Sequence, residues 1–180
     1  MGTATTPRPV KLIVGLLAAS DTLFTEATEE LARRFGQLDA ASDITDWHFS
    51  DYYSEEMGNA IRRQFVSCAT LIDAGQLAAI KQLTNDMENH WRAAPGRQVN
   101  IDPGYLAATK LVLASTKDAA HRVYLSDGIY AEVTLQFSDG CFRPDAHTYR
   151  DYAAPEAIAF FNRVRGIYLA QLRARTPASP

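Results

Sequence analysis

Titratable side chains are concentrated in one stretch of the chain, between residues 100 and 135. They stand beside short apolar runs, and charged groups at strand ends are typical of small-molecule sites. Asp102 and Glu132 are candidates for acid–base chemistry. Lys117 and Arg122 are candidates for holding a phosphate or a carboxylate. The stretch therefore predicts a site for a small anionic ligand, but it matches no motif that specifies a reaction.

His121 is the third candidate for proton transfer, because a histidine titrates near neutral pH. It directly precedes Arg122, so in an extended strand the two side chains would point to opposite faces. A histidine at the start of a strand is more often structural, and a bend at Ala120 would be needed to bring this one into the site. The remaining predicted ligand-binding residues are Asp118, Tyr124, Glu56 and Asp151.

Each of these groups also has a purely structural interpretation. Arg122 and Glu132 can form an ion pair on a solvated sheet face, which would contribute only about 0–1 kcal/mol. Lys117 can be a solvated lysine in a turn. Asp102 can accept backbone amides in a turn formed by Asp102-Pro103-Gly104, with the glycine at positive φ.

Several well-known chemistries lack their motifs in this chain. There is no GxxxxGK[ST] loop, so a P-loop nucleotide site is not predicted. There is no GxSxG sequence, and neither Cys68 nor Cys141 has an adjacent basic residue, so covalent catalysis is unsupported. Because HExxH, His-x-His and paired cysteines are absent from the sequence, no metal site is predicted, and no cofactor is indicated.

The segment from Ala120 to Phe137 is predicted to form a β-hairpin that carries Arg122 and Glu132. A three-residue loop ending at Gly128, with that glycine at positive φ, places the apolar residues of both strands on one face. A two-residue turn would instead place Arg122 on the apolar face. The predicted pairs are Leu125–Ile129, Tyr124–Tyr130 and Arg122–Glu132.

Hydrophobic periodicity predicts the order of the strands and helices that carry these residues. The predicted order is a strand at Lys11 to Ala18, a helix from Ser20 or Asp21 to Phe35, strands at Asp43 to Asp51 and Arg62 to Ile72, a helix from Asp73 to Trp91, and a strand at Lys110 to Ser115. This βαββαβ order is ferredoxin-like. The hairpin follows, and Pro155 opens a final helix. The predicted fold is a single-domain α/β (α+β) protein.

Composition is that of an ordinary globular domain of 180 residues, with 47% hydrophobic and 22% charged residues. The domain is expected over residues 10–173, with disordered tails at 1–9 and 174–180. The net charge of −3 argues against a nucleic-acid partner. No segment is long enough to span a membrane, and two cysteines without a pairing pattern favour the cytoplasm. Nothing in the sequence indicates the oligomeric state.

The N-terminal apolar run from Leu12 to Ala19 is short and stands directly before a helix-start signal. It is therefore predicted to be a buried first strand rather than a signal peptide.

Seven segments, in serial order, resemble the bacterial DUF4416 family of unknown function: KLIVGLLA, DYYSEEMG, IKQLTNDMEN, GRQVNIDPGYL, LVLASTKDAAHRVYL, GIYAEVTL and TYRDY. The similarity extends from Val10 to Tyr168, and the chain departs from the family pattern at Ser50, where threonine is expected. Some members have been labelled GTP-binding, which no motif here supports. The resemblance singles out fourteen positions: Glu56, Gly58, Asn85, Glu88, Asn100, Asp102, Lys117, Asp118, His121, Arg122, Glu132, Thr134, Tyr149 and Asp151. It implies a shared polar site but no reaction.

Three functions fit these features. The first is an enzyme acting on a small anionic metabolite or nucleotide, with Lys117 and Arg122 binding the anion and Glu132, Asp102 or His121 transferring protons. The second is a non-catalytic nucleotide- or ligand-binding or sensor module, and the third is a protein-interaction domain. A carboxylate with a perturbed pKa in an enclosed pocket would favour the first function, and a flat charged patch would favour the third.

Overall fold

The computed structural model describes residues 2–49, 54–57, 60–94 and 96–175. The helices are α1 Asp21–Phe35, the single turn α2 Ser54–Met57, α3 Leu77–Glu88 and α4 Pro155–Arg175, with 3₁₀ turns at Ala74–Gln76 and Asn89–Trp91. The strands are β1 Val10–Ala18, β2 Leu38–Ala41, β3 Thr45–Asp46, β4 Arg62–Ile72, β5 Arg92–Ala93, β6 Gly96–Arg97, β7 Val99–Leu106, β8 Lys110–Ser115, β9 Val123–Ser126, β10 Ile129–Ser138 and β11 Cys141–Pro144.

The fold is a single-sheet α+β fold: nine of the described strands form one sheet, and β5 pairs with β6 separately. The main path of the sheet is β11-β10-β8-β7-β1-β4-β2, with β3 beside β4 and β9 beside β10. The pairings between these strands are antiparallel. Strand β1 lies in the interior of the sheet, between β4 and β7. Every residue of β1 is buried, because helices cover both of its faces.

The two faces of the sheet are covered by different helices. Alternate residues of β1, such as Leu12, pack with α1 and α3 on one face. Their neighbours, such as Ile13, pack with α4 on the other. The Ser20 side chain caps α1 by accepting from the Leu23 amide at 3.3 Å, and Gly36 ends the helix at a φ of 90°. The predictions of the first strand, of α1 and of a last helix opening at Pro155 are confirmed.

The strands β7 and β8 stay together for only part of their length. All of β7 pairs with β1, whereas only Gly104–Leu106 pairs with β8. Pro103 has no N–H to donate to a ladder, and the pairing with β8 ends next to it. A side chain on Gly104 would overlap the Val112 carbonyl and Leu113, so glycine permits the close approach there. Beyond Gly104 the sheet opens between Asn100–Asp102 and the end of β8.

Two sequence-based predictions about elements were wrong. The Asp102-Pro103-Gly104 segment is not a turn but lies within β7, and Gly104 is not among the positive-φ residues. Of the predicted strand from Asp43 to Asp51, only Thr45–Asp46 forms a strand, and residues 50–53 lie outside the described part. In the first case pairing with β1 overrides the local turn preference, and in the second only Thr45 and Asp46 pair with β4, since β-propensity depends strongly on context.

The hairpin follows the predicted register beyond its turn. Tyr124 pairs with Tyr130 and Gly128 has a φ of 76°, as predicted. The predicted loop was wrong: Asp127 also has a positive φ of 52°, and Ser126 pairs with Ile129 across a two-residue turn. A register shift at Leu125 then restores the Tyr124–Tyr130 pair, so Leu125 does not pair with Ile129. The predicted apolar face is partly open, and Val123 is 69% exposed.

No helix in the described part of the chain is both long enough and apolar enough to cross a bilayer.

Candidate functional site

A cavity of about 510 Å³ lies where β7 and β8 diverge. Its volume is within the range of small-molecule pockets. Its walls come from β4, α3, β7, β8, β10 and the segment that leads into α4. The lining residues are Trp47, Arg63, Lys81, Asn85, Glu88, Arg97, Asn100, Asp102, Leu113, Ala114, Ser115, Thr116, Lys117, Glu132, Tyr149, Asp151 and Tyr152.

Asp102 is held in the opening by neighbours on both sides. The Asn100 side-chain amide donates to its Oδ2 at 2.7 Å, and the Lys81 ammonium lies 3.5 Å from its Oδ1. Lys81 reaches it from α3 on the other side of the opening and also donates to the Ile101 carbonyl at 2.9 Å. The Asp102 side chain is 26% exposed, while the other lining carboxylates are at most 8% exposed. Asp102 is therefore the lining carboxylate most accessible to a ligand.

Arg63, on β4, connects Asp102 on β7 with Asp151 in the segment before α4. Its Nη2 atom lies 2.5 Å from Asp151 Oδ2, and its Nη1 atom lies 3.7 Å from Asp102 Oδ2. The indole N–H of Trp47 donates to the same Asp151 oxygen at 3.4 Å. The guanidinium also lies 5.6 Å from the Tyr152 ring centre, within the cation–π range. These contacts fix two carboxylates and one cation in a single group.

The Tyr152 hydroxyl is buried and has no hydrogen-bond partner among the described residues. It lies directly over Gly15 of β1, where any Cβ would collide with it. Its ring packs edge-on against Phe65 at 4.9 Å and stacks with Phe161 at 5.7 Å. Burial, together with the nearby carboxylates, raises the pKa of Tyr152 well above its ordinary value. Tyr152 is therefore a neutral phenol that lines the cavity, and its buried hydroxyl has no partner among the described residues.

A second charged group forms the wall nearest α3. Glu88 Oε1 accepts from the Ile101 amide at 2.7 Å, and its Oε2 accepts from Arg97 at 2.7 Å. Burial raises the pKa of Glu88, while Lys81, Arg97 and the amide act in the opposite direction. Arg97 Nε also donates to Glu56 at 3.0 Å. Glu56 therefore positions Arg97 and does not itself line the cavity.

The opposite wall contains Glu132, whose side chain is 3% exposed. Arg122 Nε donates to Glu132 Oε2 at 2.7 Å, and His121 Nε2 lies 3.1 Å from the same oxygen. His121 and Arg122 both reach Glu132 because they lie in a turn before β9, closed by the Arg122 amide and the Ala119 carbonyl at 2.9 Å. Strand alternation therefore does not separate them. His121 also stacks on His147 with ring centres 4.4 Å apart.

The structure brings together only some of the predicted site residues. Asp102, Lys117, Glu132 and Asp151 line the cavity. His121 and Arg122 lie behind Glu132, and Glu56 lies behind Arg97, so these three contact the lining rather than form it. Asp118 and Tyr124 are exposed and do not line the cavity.

Tyr124 was predicted to bind ligand because it shares a face of the hairpin with Glu132. Its ring instead packs against Tyr130, because β9 continues outward beyond the cavity.

The site-residue prediction missed Arg63, Lys81, Arg97 and Tyr152. Two of these carry a signal in the sequence, since Lys81 falls on the apolar face of α3 and Arg63 falls on the buried face of β4 beside Phe65. A charged residue at a buried position of a regular element needs a partner. Arg97 and Tyr152 carry no comparable local signal.

Within the described ranges, no group of three or more histidine, cysteine, aspartate or glutamate side chains is arranged to hold a metal ion. The lining carboxylates instead contact arginine, lysine or amide groups.

Residues 8–168 match the model of a family described as a domain of unknown function, DUF4416. The chain belongs to this family. Of the fourteen positions that the DUF4416 resemblance singles out, eight line the cavity. They are Asn85, Glu88, Asn100, Asp102, Lys117, Glu132, Tyr149 and Asp151. Gly58 lies outside the described residues.

The chain is also similar to curated proteins named 4-alpha-glucanotransferase from Mycobacterium tuberculosis and Mycobacterium bovis. The identity is 32% over 126 residues, which are 70% of this chain and 15% of each relative. The chain thus spans about a seventh of the length of these relatives. No solved structure matches the chain.

Proposed function

We propose that the cavity binds a small metabolite that carries a phosphate or carboxylate group. The observation that supports this most strongly is that five charged side chains, each between 3% and 8% exposed, face one cavity. They are Arg63, Lys81, Glu88, Glu132 and Asp151. Removing charges from water lowers stability unless they are paired well, and apolar residues of similar volume are often more stable. Stability alone therefore gives little reason for this arrangement.

One of the four lining cations, at the exposed side of the cavity, favours an anionic group on the ligand. Arg63, Lys81, Arg97 and Lys117 all line the cavity, and Lys117 stands at its exposed side. The names of the mycobacterial relatives include a glucan, so sugars and sugar phosphates join nucleotides and organic acids as candidate ligands. A protein-interaction role has less support, because these groups surround a concave space rather than a flat patch.

A second candidate, an enzyme acting on the same ligand, is favoured by two features. Asp102 is half-buried and accessible, as a carboxylate that exchanges protons with a substrate must be. Glu132 faces the cavity with His121 against its other side, which provides a route for a proton between the cavity and the exterior. In this role Asp102 or Glu132 would contact the substrate, and His121 would act through Glu132.

We also propose that the cavity is built on a ferredoxin-like core. The order β7-β1-β4-β2, with α1 and α3 packed on one face, supports this arrangement. The free thiols of Cys68 and Cys141 support a reducing, cytoplasmic setting.

Ligand binding can be tested by thermal unfolding with nucleotides, sugar phosphates and organic acids. A compound that binds only the folded state stabilises it, by about 2.7 kcal/mol at a concentration of 100 times Kd. We expect at least one compound to raise the Tm of the wild-type protein. The effect should be lost in Asp102→Asn and retained in the matched control Asp118→Asn, whose carboxylate is exposed and outside the cavity. Stabilisation that is the same in both variants would contradict the assignment of the site.

A further inference from the structure

The floor of the cavity, formed by Arg63, Lys81, Asp102, Asp151 and Tyr152, contains a hydroxyl group that no described residue satisfies. The Tyr152 residue is 1% exposed, its hydroxyl has no hydrogen-bond partner among the described residues, and it lines the cavity. Buried hydroxyl groups normally have partners, because an unmade hydrogen bond lowers stability. Gly15 supplies the space for this hydroxyl, since an added Cβ would collide with it. A ligand atom that hydrogen-bonds with Tyr152 would satisfy it.

The charges around this hydroxyl balance one another. Arg63 lies against Asp151, and Lys81 lies near Asp102. Among the residues that the structure describes, two cations and two carboxylates therefore give the floor no formal net charge. A ligand anion placed there would face both carboxylates, whereas a ligand hydroxyl can donate to a carboxylate and accept from the phenol. The floor is therefore better suited to an uncharged, hydroxyl-bearing group than to a phosphate.

The exposed side of the cavity, in contrast to the floor, is suited to an anionic group. Lys117 follows the end of β8, lines the cavity and is solvent-exposed. Ion pairs made by exposed lysines are weak in water, so an incoming anion can replace any neighbour of its ammonium group. Ser115 and Thr116 line the same side and add hydroxyl groups. An anionic group is therefore best placed at the mouth.

We infer that the ligand is a polyol phosphate or sugar phosphate, bound with its hydroxyl-bearing end against Tyr152 and Asp102 and its phosphate at Lys117. This inference rests on the proposed binding function and adds the class and the orientation of the ligand. Tyr152 becomes a specificity-determining residue for the hydroxyl-bearing end, and Lys117 becomes one for the phosphate.

The test measures Kd for matched pairs of compounds: glucose 6-phosphate with glucose, ribose 5-phosphate with ribose, and glycerol 3-phosphate with glycerol. Inorganic phosphate serves as the anion without a polyol. Ligand-observed NMR gives Kd even for weak members. The proteins are the wild type, Tyr152→Phe, which keeps the ring packing, and Lys117→Gln, which removes an exposed charge. Tm without ligand shows whether each variant is folded.

We expect at least one sugar or polyol phosphate to bind the wild type more tightly than both its parent and inorganic phosphate. Lys117→Gln should raise the Kd of the phosphorylated compound about tenfold and leave the Kd of its unphosphorylated parent unchanged. Tyr152→Phe should raise the Kd of both the phosphorylated compound and its parent about tenfold. The inference is overturned if Tyr152→Phe changes neither Kd, if Lys117→Gln weakens the parent equally, or if inorganic phosphate binds as tightly as the sugar phosphate.

The same titrations separate this inference from the function on which it rests. If nucleotides or organic acids bind in a manner that depends on Asp102 and no sugar or polyol phosphate binds, the ligand class and orientation are wrong while the binding function stands. If no compound of any of these classes binds, both are wrong.

Discussion

The Arg122→Ala variant distinguishes a buried structural cation from an exposed ligand-binding one. The Arg122 guanidinium donates to Glu132 at 2.7 Å, to the Lys117 carbonyl at 2.9 Å and to the Tyr149 hydroxyl at 2.5 Å. The two charged side chains are 7% and 3% exposed. Truncation of Arg122 therefore leaves Glu132 as a buried carboxylate whose remaining close neighbours are His121 and a threonine hydroxyl.

Removal of one partner from a buried ion pair lowers stability by about 3–5 kcal/mol. His121 can offset part of this loss, so we expect a decrease of about 3 kcal/mol in the free energy of unfolding. Lys117→Ala removes an exposed cation and should change stability by less than about 0.5 kcal/mol. In urea, an m value of about 2 kcal/mol/M converts the first loss into a midpoint shift of about 1.5 M.

Urea denaturation followed by tryptophan fluorescence can measure both variants, since the chain contains Trp47 and Trp91. The double variant Arg122→Ala/Glu132→Gln should recover part of the loss, because it removes the uncompensated charge as well. A loss below about 1 kcal/mol for Arg122→Ala, or no recovery in the double variant, would refute the buried-pair interpretation in favour of a solvated one.

Three further results are expected. Gly15→Ala should lower stability by about 1–3 kcal/mol, mainly through overlap with the Tyr152 hydroxyl. The loss should be smaller in a Tyr152→Phe background, where the added Cβ still lies 2.9 Å from Arg63 Nη1, and equal losses in a thermal double-mutant cycle would disprove the Tyr152 contact. Burial raises the pKa of Cys68 to about 12, so a thiol reagent at pH 8 should modify only Cys141 in the native protein. Equal rates of modification at both thiols would contradict this. Burial also raises the pKa of Glu88 above 4.5, so the folded state binds this proton more tightly than the unfolded state, and ionisation above pH 4.5 opposes folding. The stability of Glu88→Gln relative to the wild type should therefore rise between pH 4.5 and pH 7, and urea midpoints that show no rise would argue against a raised pKa.

The elements predicted from sequence were those with strong local signals. The apolar run of β1, the Ser20 cap and Gly36 end of α1, and Pro155 at the start of α4 identify their elements without tertiary information. The Asp102-Pro103-Gly104 segment has an equally strong turn signal, but it lies in β7 because pairing with β1 extends through it. Local preference gave the wrong result where a neighbouring strand, remote in sequence, determines the backbone.

The candidate site could be predicted only in part for a related reason. Asp102, Lys117 and Glu132 come from one stretch of the sequence, and all three line the cavity. Arg63 and Lys81 lie about 20 to 40 residues earlier, and they enter the site because β4 lies beside β1 and α3 packs behind the opening between β7 and β8. No spacing rule connects them to Asp102. Their buried positions on regular elements were the only local indication.

The most direct test of the central claim is a crystal structure of the protein with the compound that raises Tm most. We predict that the compound occupies the opening between β7 and β8, within hydrogen-bond distance of Asp102, with its anionic group near Lys117. Electron density for the compound at another surface, with the cavity unchanged, would contradict the claim that these charged residues form a ligand site.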